Sequence, residues 1–225
     1  IFRRYDVADA ILQKAVRVDE IGEIERASGR SVLSVKLAAL KNETRYPFVI
    51  NLPQHHMEPV LAEALARTGL SELRLGHRFK SLRQDADRVV ASFDTPQGTR
   101  EVEAAYLLGC DGGRSVVREQ LGARIEGESM PERYALIDLD VDLDVANPRD
   151  YPYLAYFPDP KEWMIVVRQP HCWRFLFPVG PDQEEPTADE MREKVLAFIG
   201  RVDRADILGK VFYRIHHRVA TRWRD

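Results

Sequence analysis

Apolar and polar residues alternate along most of this chain in a way that predicts many short strands. Strict alternation, with every second residue apolar, is typical of a strand that is buried on one face. Strands are predicted at residues 21–27, 31–37, 48–51, 72–82, 88–94, 100–108, 135–145, 151–157, 163–168, 172–179 and 211–219. The strands at 21–27 and 31–37 flank a Ser-Gly-Arg turn and predict a hairpin, and the three strands between 72 and 108 predict a β-meander.

A helical period of about 3.6 residues marks the remaining segments. Helices are predicted at residues 1–16, 60–68, 116–121 and 187–199. Thr187 is placed to cap the last helix, and Glu190 three residues later completes a capping box. These elements predict an α/β (α+β) chain with mixed and antiparallel sheets.

Composition and charge exclude several kinds of partner. The 225 residues are 44% hydrophobic and 31% charged, which is enough for one sizeable core or two small ones. The formal net charge is only -3 and the charges are interspersed, so neither nucleic acid nor a membrane surface is an expected partner. No signal peptide or spanning segment is apparent, which predicts a cytoplasmic protein. Cys110 and Cys172 lie far apart in the sequence and predict two reduced thiols.

The most specific segment runs from residue 106 to residue 118, where an apolar run breaks at glycine and restarts as a short helix. It predicts a strand, a tight turn and a helix with Ser115 as N-cap. Asp111 would lie at the end of the strand beside the helix N-terminus, where α/β folds often bind ligands. The glycines of the turn, which allow positive φ and close approach of a bound group, are Gly109, Gly112 and Gly113. Spacing alone fits an ordinary strand-turn-helix joint equally well.

The string Leu-Leu-Gly-Cys-Asp-Gly-Gly-Arg-Ser-Val-Val-Arg at residues 107–118 resembles a known motif. It is similar to the G-x-D-G-x-x-S-x-x-R pattern of the FAD-dependent aromatic hydroxylases related to p-hydroxybenzoate hydroxylase. In that family the motif lies beside the flavin diphosphate and takes part in binding the nicotinamide cofactor. The resemblance implies cofactor-binding roles for Gly109, Asp111, Gly112, Ser115 and Arg118.

A second point of resemblance lies at the start of the helix predicted near residue 60. The same hydroxylases carry a Gln-x-x-x-Glu segment there, whose glutamine contacts the flavin, and Gln54 and Glu58 match it. The adjacent His55 and His56 have no third ligand at useful spacing, so solvated or capping side chains and no metal site are expected.

The resemblance also implies a division into domains. Residues 1–17 and 51–128 would belong to a glutathione-reductase-type FAD-binding domain with the β-meander, and residues 18–50 and 129–219 to a substrate-binding sheet domain. Residues 220–225 would return to the cofactor domain. The family's N-terminal G-x-G-x-x-G turn would precede Ile1, and its Gly-Asp segment would follow Asp225, so the chain resembles the middle of the family's pattern.

The resemblance implies an FAD-dependent monooxygenase that hydroxylates a phenolic ring with NAD(P)H and dioxygen, through a flavin hydroperoxide. The protein would orient the ring and exclude water, while the cofactor does the chemistry. Histidine and tyrosine can move a proton when their pKa values are shifted, and arginine can hold a carboxylate. On these grounds the candidates for ring contact or phenol deprotonation are Tyr213, His216, Arg168 and His171. A structural role for each is the alternative.

Two other functions fit the same sequence. A related flavoprotein epoxidase, halogenase or reductase that acts on a polyketide or isoprenoid would share the cofactor motifs. A non-catalytic module would use the aromatic sheet to bind a small ligand and would keep the Asp111 turn as a relic. Each of these readings is compatible with a homodimer.

Overall fold

The structure is a computed structural model that describes residues 1–143, 151–160, 162–200 and 202–224. The chain divides into two compact units. The first unit comprises Ile1–Gly69 and Met130–Ile215, and the second unit comprises Leu70–Ser129 and His216–Asp225. The predicted assignment of residue ranges to a cofactor domain and a substrate domain stays a prediction.

Helices and strands are both abundant, which confirms the predicted α/β class. The helices are α1 (Ala8–Lys14), α2 (Gln54–Arg67), α3 (Val116–Gln120) and α4 (Ala188–Ile199), with short 3-10 helices at Phe2–Tyr5 and Leu37–Leu40. The strands are β1 (Val16–Val18), β2 (Glu20–Ile24), β3 (Ser31–Lys36), β4 (Val49–Asn51), β5 (Arg78–Gln84), β6 (Val89–Thr95), β7 (Gly98–Ala104), β8 (Ile125–Asp140), β9 (Leu154–Phe157), β10 (Met164–Gln169), β11 (Cys172–Val179) and β12 (Asp206–Ala220). In the part of the chain that the structure describes, no helix is both long and apolar enough to cross a bilayer.

A seven-stranded sheet in the order β12-β8-β11-β10-β9-β2-β3 dominates the first unit. The pairs β2–β3, β9–β10, β10–β11 and β8–β11 are antiparallel, and β2 runs parallel to β9, so the sheet is mixed as predicted. Because side chains alternate between the two faces of a strand, every second residue of β11 lies in the core. Trp173, Phe175 and Phe177 are each at most 2% exposed.

Helix α4 covers this buried face of the sheet. Its Met191 and Val195 are fully buried in the same apolar cluster as Phe175. The predicted capping box is confirmed, because the Thr187 hydroxyl accepts from the Glu190 N–H and the Glu190 carboxylate accepts from the Thr187 N–H. On the opposite face the side chains of β11, such as Arg174 and Leu176, are half-buried; we call this the free face.

A second, smaller core holds the start of α2. Val7, Ile11 and Val60 pack together between α1 and α2. Helix α2 begins at Gln54, earlier than predicted, because Pro59 lies inside it instead of at its start. Pro59 is the sixth residue of α2, where a proline lacks the N–H that would bond the His55 carbonyl and crowds that carbonyl with its ring, at a cost of about 3 kcal/mol.

Asn51 joins this region to the sheet. It is 9% exposed, and its side-chain amide donates to the carbonyl oxygens of Tyr153 at 3.2 Å and Arg168 at 3.0 Å. Both carbonyls belong to the sheet edge near the β10–β11 turn. Asn51 therefore fixes the segment that leads into α2 against the sheet.

Replacing Asn51 by leucine is expected to lower the free energy of unfolding by about 1–3 kcal/mol, because two part-buried carbonyl oxygens lose the amide donor of Asn51, although the Tyr153 oxygen still accepts from the Arg168 N–H. The measurement is urea denaturation followed by circular dichroism. The matched control is Asn42→Leu, since Asn42 is exposed and should change stability by less than about 0.5 kcal/mol. Equal effects at the two positions would contradict the role given to Asn51.

The second unit contains the predicted β-meander, with β6 between β5 and β7 in antiparallel register. Helix α3 is tied to β5 by Gln120, whose side chain accepts from the Leu82 N–H and donates to the Lys80 carbonyl. The short helix is thereby held at one edge of the meander.

Two predicted strand boundaries in the second unit are wrong. Strand β5 begins at Arg78 instead of residue 72, and β7 ends at Ala104 instead of continuing to residue 108. Tyr106 and Leu108 are 87% and 84% exposed. A strand needs a hydrogen-bonded neighbour, and among the described residues no strand pairs with this apolar run. The strand predicted at 135–145 is part of β8, which begins earlier, at Ile125, and ends at Asp140, so the prediction is wrong for residues 141–143; residues 144 and 145 lie outside the described residues.

Candidate functional site

The turn at Asp111 is a closed hydrogen-bonded structure. The Asp111 carboxylate accepts from the Ser115 hydroxyl and, at 3.2 Å, from the Val117 N–H. The Ser115 oxygen in turn accepts from the Arg118 N–H at 3.0 Å, which makes Ser115 the predicted N-cap of α3. The Arg118 guanidinium donates to the Gly113 carbonyl at 3.1 Å. Asp111 and Ser115 together therefore hold the glycine turn on the start of α3.

Hydrogen bonding sets the charge of Asp111. Burial acts to raise the pKa of its carboxyl, but hydrogen bonds from the Ser115 hydroxyl and the Val117 N–H outweigh that effect and hold the pKa below its ordinary value. Asp111 is therefore ionised at neutral pH and acts as an acceptor only.

Glycine is required in this turn for two different reasons. A Cβ at Gly109 would lie 2.9 Å from the Cβ of Val117, so only glycine lets the chain pass this close to α3. Gly112 has φ 79°, which side chains other than glycine rarely adopt. No atom lies within 4 Å of where a Cβ would stand at Gly112 or Gly113, so the backbone there is open to a bound group. The flavin diphosphate that the family resemblance implies fits such an exposed backbone.

Gln54 is in the first unit, at the first residue of α2. Its side-chain amide donates to the Glu58 carboxylate at 2.7 Å, one helical turn further on, and both residues are exposed. The glutamine and glutamate of the predicted Gln-x-x-x-Glu segment thus orient each other. The remaining amide hydrogen-bonding capacity of Gln54 is available to a ligand.

Aromatic rings line the free face of the sheet. The Tyr213 ring lies 5.8 Å from that of Tyr134, which lies 5.9 Å from that of Trp163. Burial and the neighbouring Tyr134 raise the pKa of Tyr213, and Arg174 partly opposes them. Tyr213 therefore keeps its phenolic proton at neutral pH and can donate a hydrogen bond. Next to Trp163, Tyr156 and Glu23 border an open cleft of ≈ 600 Å³.

The sequence reasoning missed an ion pair on the same face. Arg174 on β11 donates through two nitrogens to the two carboxylate oxygens of Asp138 on β8, at 2.8 and 2.9 Å. These residues are directly opposite in the antiparallel register. Alternation in the two strands was visible in the sequence, but the pairing of β8 with β11 was not. Burial raises the pKa of the adjacent Cys172 thiol to about 11, so that thiol is unreactive.

The four residues proposed for ring contact are not gathered at one place. Arg168 lies on the α4 side of the sheet, with its guanidinium 5.7 Å from the Trp173 ring, and it donates to the carbonyls of Gln169 and Cys172. Tyr213 lies on the opposite face. His171 is in the exposed turn between β10 and β11, 5.5 Å from the His56 ring.

His216 is in the second unit. Its Nδ1 is 2.9 Å from the hydroxyl oxygen of Ser129, which also accepts from the Arg218 guanidinium at 2.6 Å. A hydroxyl can accept two hydrogen bonds as well as donate one, so the histidine tautomer sets the direction of the Ser129–His216 bond. His216 is thus part of a cross-strand polar contact between β8 and β12.

The chain matches one family model and resembles several known monooxygenases and hydroxylases. Residues 1–225 match the model of a family described as FAD binding domain. A 12-dehydrotetracycline 5-monooxygenase/anhydrotetracycline 6-monooxygenase of Streptomyces rimosus is 34% identical over 157 residues, covering 70% of this chain and 30% of the relative. A 3-(3-hydroxy-phenyl)propionate/3-hydroxycinnamic acid hydroxylase of Burkholderia cenocepacia is 33% identical over 176 residues, covering 76% of this chain and 31% of the relative.

A solved structure extends the likeness to the whole chain. The p-nitrophenol 4-monooxygenase of Pseudomonas putida superposes with a TM-score of 0.88 at 25% identity, and the match covers 100% of this chain and 57% of that one. The chain thus spans about a third of the length of the two curated relatives and somewhat more than half of the solved protein.

Proposed function

Because this chain belongs to the FAD binding domain family, we propose that it is part of an FAD-dependent monooxygenase that hydroxylates a phenolic or similar aromatic ring. NAD(P)H is the proposed reductant and dioxygen the proposed oxidant. The observation that carries the proposal is the match of residues 1–225 to that family. It is supported by relatives that are named as monooxygenases or hydroxylases of aromatic compounds.

Candidate flavin contacts occur in each of the two units. Gln54 would contact the flavin through its free amide capacity, and the open backbone at Gly112 and Gly113 would lie against the diphosphate. Asp111 and Ser115 would keep that backbone in shape, because their own hydrogen bonds fix the turn on α3. When bound, FAD supplies the redox chemistry that dioxygen activation requires.

The free face of the sheet would bind the aromatic substrate. Tyr134 and Trp163 offer ring surfaces for stacking, and rings of this kind pack well at offset or edge-to-face geometry. Tyr213 keeps its proton on Oη, so it would donate a hydrogen bond to a ring oxygen instead of accepting a proton from it. Arg174 is held in place by its two hydrogen bonds to Asp138. On the same face as Tyr213, it would limit how the substrate ring can rotate.

The other three proposed residues take different parts. His171 lies in an exposed turn and is free to contact a ligand. Arg168 bonds the carbonyls on both sides of that turn and would act as a positioning residue. His216 is held by Ser129, so a role in proton movement would use its other ring nitrogen, Nε2.

The test uses the protein that carries this chain, reconstituted with FAD. NAD(P)H oxidation is measured with and without each of a panel of phenols, and products are identified by mass spectrometry. The proposal expects at least one phenol to stimulate oxidation several-fold and to yield a product with one added oxygen. Flavin binding without stimulation by any phenol counts against the proposal, and an epoxidised or halogenated product would favour the related flavoprotein activities.

A further inference from the structure

Three histidines and a lysine from separate parts of the first unit converge at the start of α2. His55 and His56 are neighbouring residues of α2 whose ring centroids are 4.3 Å apart, and the His171 ring lies 5.5 Å from that of His56. Lys14, at the end of α1, acts electrostatically on His56. We call these four residues the histidine cluster. His171 is more than a hundred positions from His56, so no sequence spacing could have revealed it.

The fold fixes the geometry of the histidine cluster. Asn51 bonds the Arg168 carbonyl and so holds the segment before α2 beside the strand that leads to His171. Arg168 bonds the Gln169 and Cys172 carbonyls and so rigidifies the turn that carries His171. His55 and His171 are exposed, and His56 is half-buried between them. A ligand can therefore reach the rings without any rearrangement of the backbone.

Of the residues described, only basic groups act electrostatically on His56. Partial burial lowers the pKa of His56, and His55, His171 and Lys14 lower it further. All three neighbours that act on it are bases, and no carboxylate of the described residues contributes to the shift. Helix α2 has neither a side-chain cap nor an acidic residue in its first turn, so the positive end of its dipole adds to the same charge.

A metal ion does not fit this arrangement. In the described ranges no group of three His, Cys, Asp or Glu side chains has positions suited to a metal ion. A cluster of bases without a carboxylate instead favours an anion, because an anion removes the mutual repulsion that opposes protonation.

We propose that His55, His56, His171 and Lys14 form a binding site for an oxyanion, either the carboxylate of an aromatic acid or the phosphate of a nucleotide. The imidazolium N–H groups and the lysine ammonium donate charge-assisted hydrogen bonds to its oxygens. The pKa of His56 lies below its ordinary value and an anion favours its protonated form, so the affinity of the site rises as the pH falls below 6.5. This anion site does not depend on the proposed monooxygenase activity, so it is tested by measuring anion binding and not catalytic turnover.

The probe is inorganic sulfate, whose charge is constant across the range used, and binding to the full chain is measured by calorimetry at constant ionic strength. Sulfate is expected to bind at least about tenfold more tightly near pH 5.5 than near pH 8. His56→Gln and His171→Gln should each weaken binding near pH 5.5 by about fivefold or more, since each replaces a donor that can carry charge by a neutral amide. Benzoate and methyl phosphate as further probes show which oxyanion the site prefers.

The matched control is His77→Gln, a half-buried histidine of the second unit, which should leave sulfate binding unchanged. Circular dichroism confirms that each variant is folded, and His171 is in an exposed turn where substitution is tolerated. Sulfate affinity that is equal at the two pH values, or equal in wild type and both cluster variants, overturns the proposal. Binding of Zn²⁺ without binding of sulfate overturns it as well.

Discussion

Truncation of Trp173 to alanine is expected to lower the free energy of unfolding by about 3–5 kcal/mol, the range typical of large aromatic residues in a core. Trp173 is 1% exposed and lies in the apolar cluster between the sheet and α4. Tyr153 contacts its ring edge-to-face at 5.9 Å, and the Arg168 guanidinium lies over it at 5.7 Å. The variant would leave a cavity under the β10–β11 turn. The measurement is urea denaturation, in which the midpoint and the slope of the unfolding transition of the variant are compared with those of the unchanged protein.

Two further variants separate this cavity effect from other causes. The indole N–H of Trp173 is buried and has no hydrogen-bond partner in the described part of the chain, so Trp173→Phe loses volume but no hydrogen bond and should cost less than about 2 kcal/mol. Trp223 is 83% exposed, and Trp223→Ala should change stability by less than about 0.5 kcal/mol. If Trp223→Ala were as damaging as Trp173→Ala, the core described for the first unit would be wrong.

Replacing Asp111 by alanine is expected to weaken FAD binding by about tenfold or more in the protein that carries this chain, equivalent to about 1.4 kcal/mol. The Ser115 hydroxyl and the Val117 N–H both lose their acceptor, so the glycine turn is no longer held on α3. Loss of a side-chain acceptor for a first-turn N–H of a helix, which Asp111 provides for Val117, costs about 1 kcal/mol of stability. Affinity is measured by quenching of flavin fluorescence.

Two further variants and the pH dependence serve as controls for the Asp111 experiment. Asp111→Asn keeps one acceptor oxygen and should bind FAD with intermediate affinity. Asp87→Ala, at an exposed position of the same unit, should leave affinity unchanged. The pKa of Asp111 is lowered below 3.8, so its contribution is present above that pH and lost as the pH falls through the folded value. The effect of Asp111→Ala should therefore be constant from about pH 6 to about pH 8. A large change across that range would contradict the ionised state of Asp111.

Local periodicity predicted those parts of the fold that depend on neighbouring residues. Strand β11 was predicted at residues 172–179 and has those bounds, because an apolar run rich in aromatic residues directly after the Gln169-Pro170-His171 turn favours a strand. The capping box at Thr187 was predicted for a similar reason, since both of its hydrogen bonds join residues three positions apart.

Contacts between distant segments were beyond the reach of the sequence. The strand predicted through residue 108 was wrong because apolar character does not show whether a neighbouring strand is present. The Arg174–Asp138 pair depends on the order of strands in the sheet, and the approach of His171 to His56 depends on Asn51. Family resemblance supplied the glycine turn, but the structure supplied its physical basis in the hydrogen bonds of Asp111 and Ser115.

The most direct test of the central claim is the origin of the oxygen atom in the product. The protein that carries this chain is supplied with FAD, NAD(P)H and a phenol that stimulates oxidation, under isotopically labelled dioxygen in ordinary water. An aromatic monooxygenase inserts one labelled oxygen into the ring, and mass spectrometry of the product shows it. A product that contains oxygen only from water, or a ring that is left unchanged while NAD(P)H is consumed, would contradict the account.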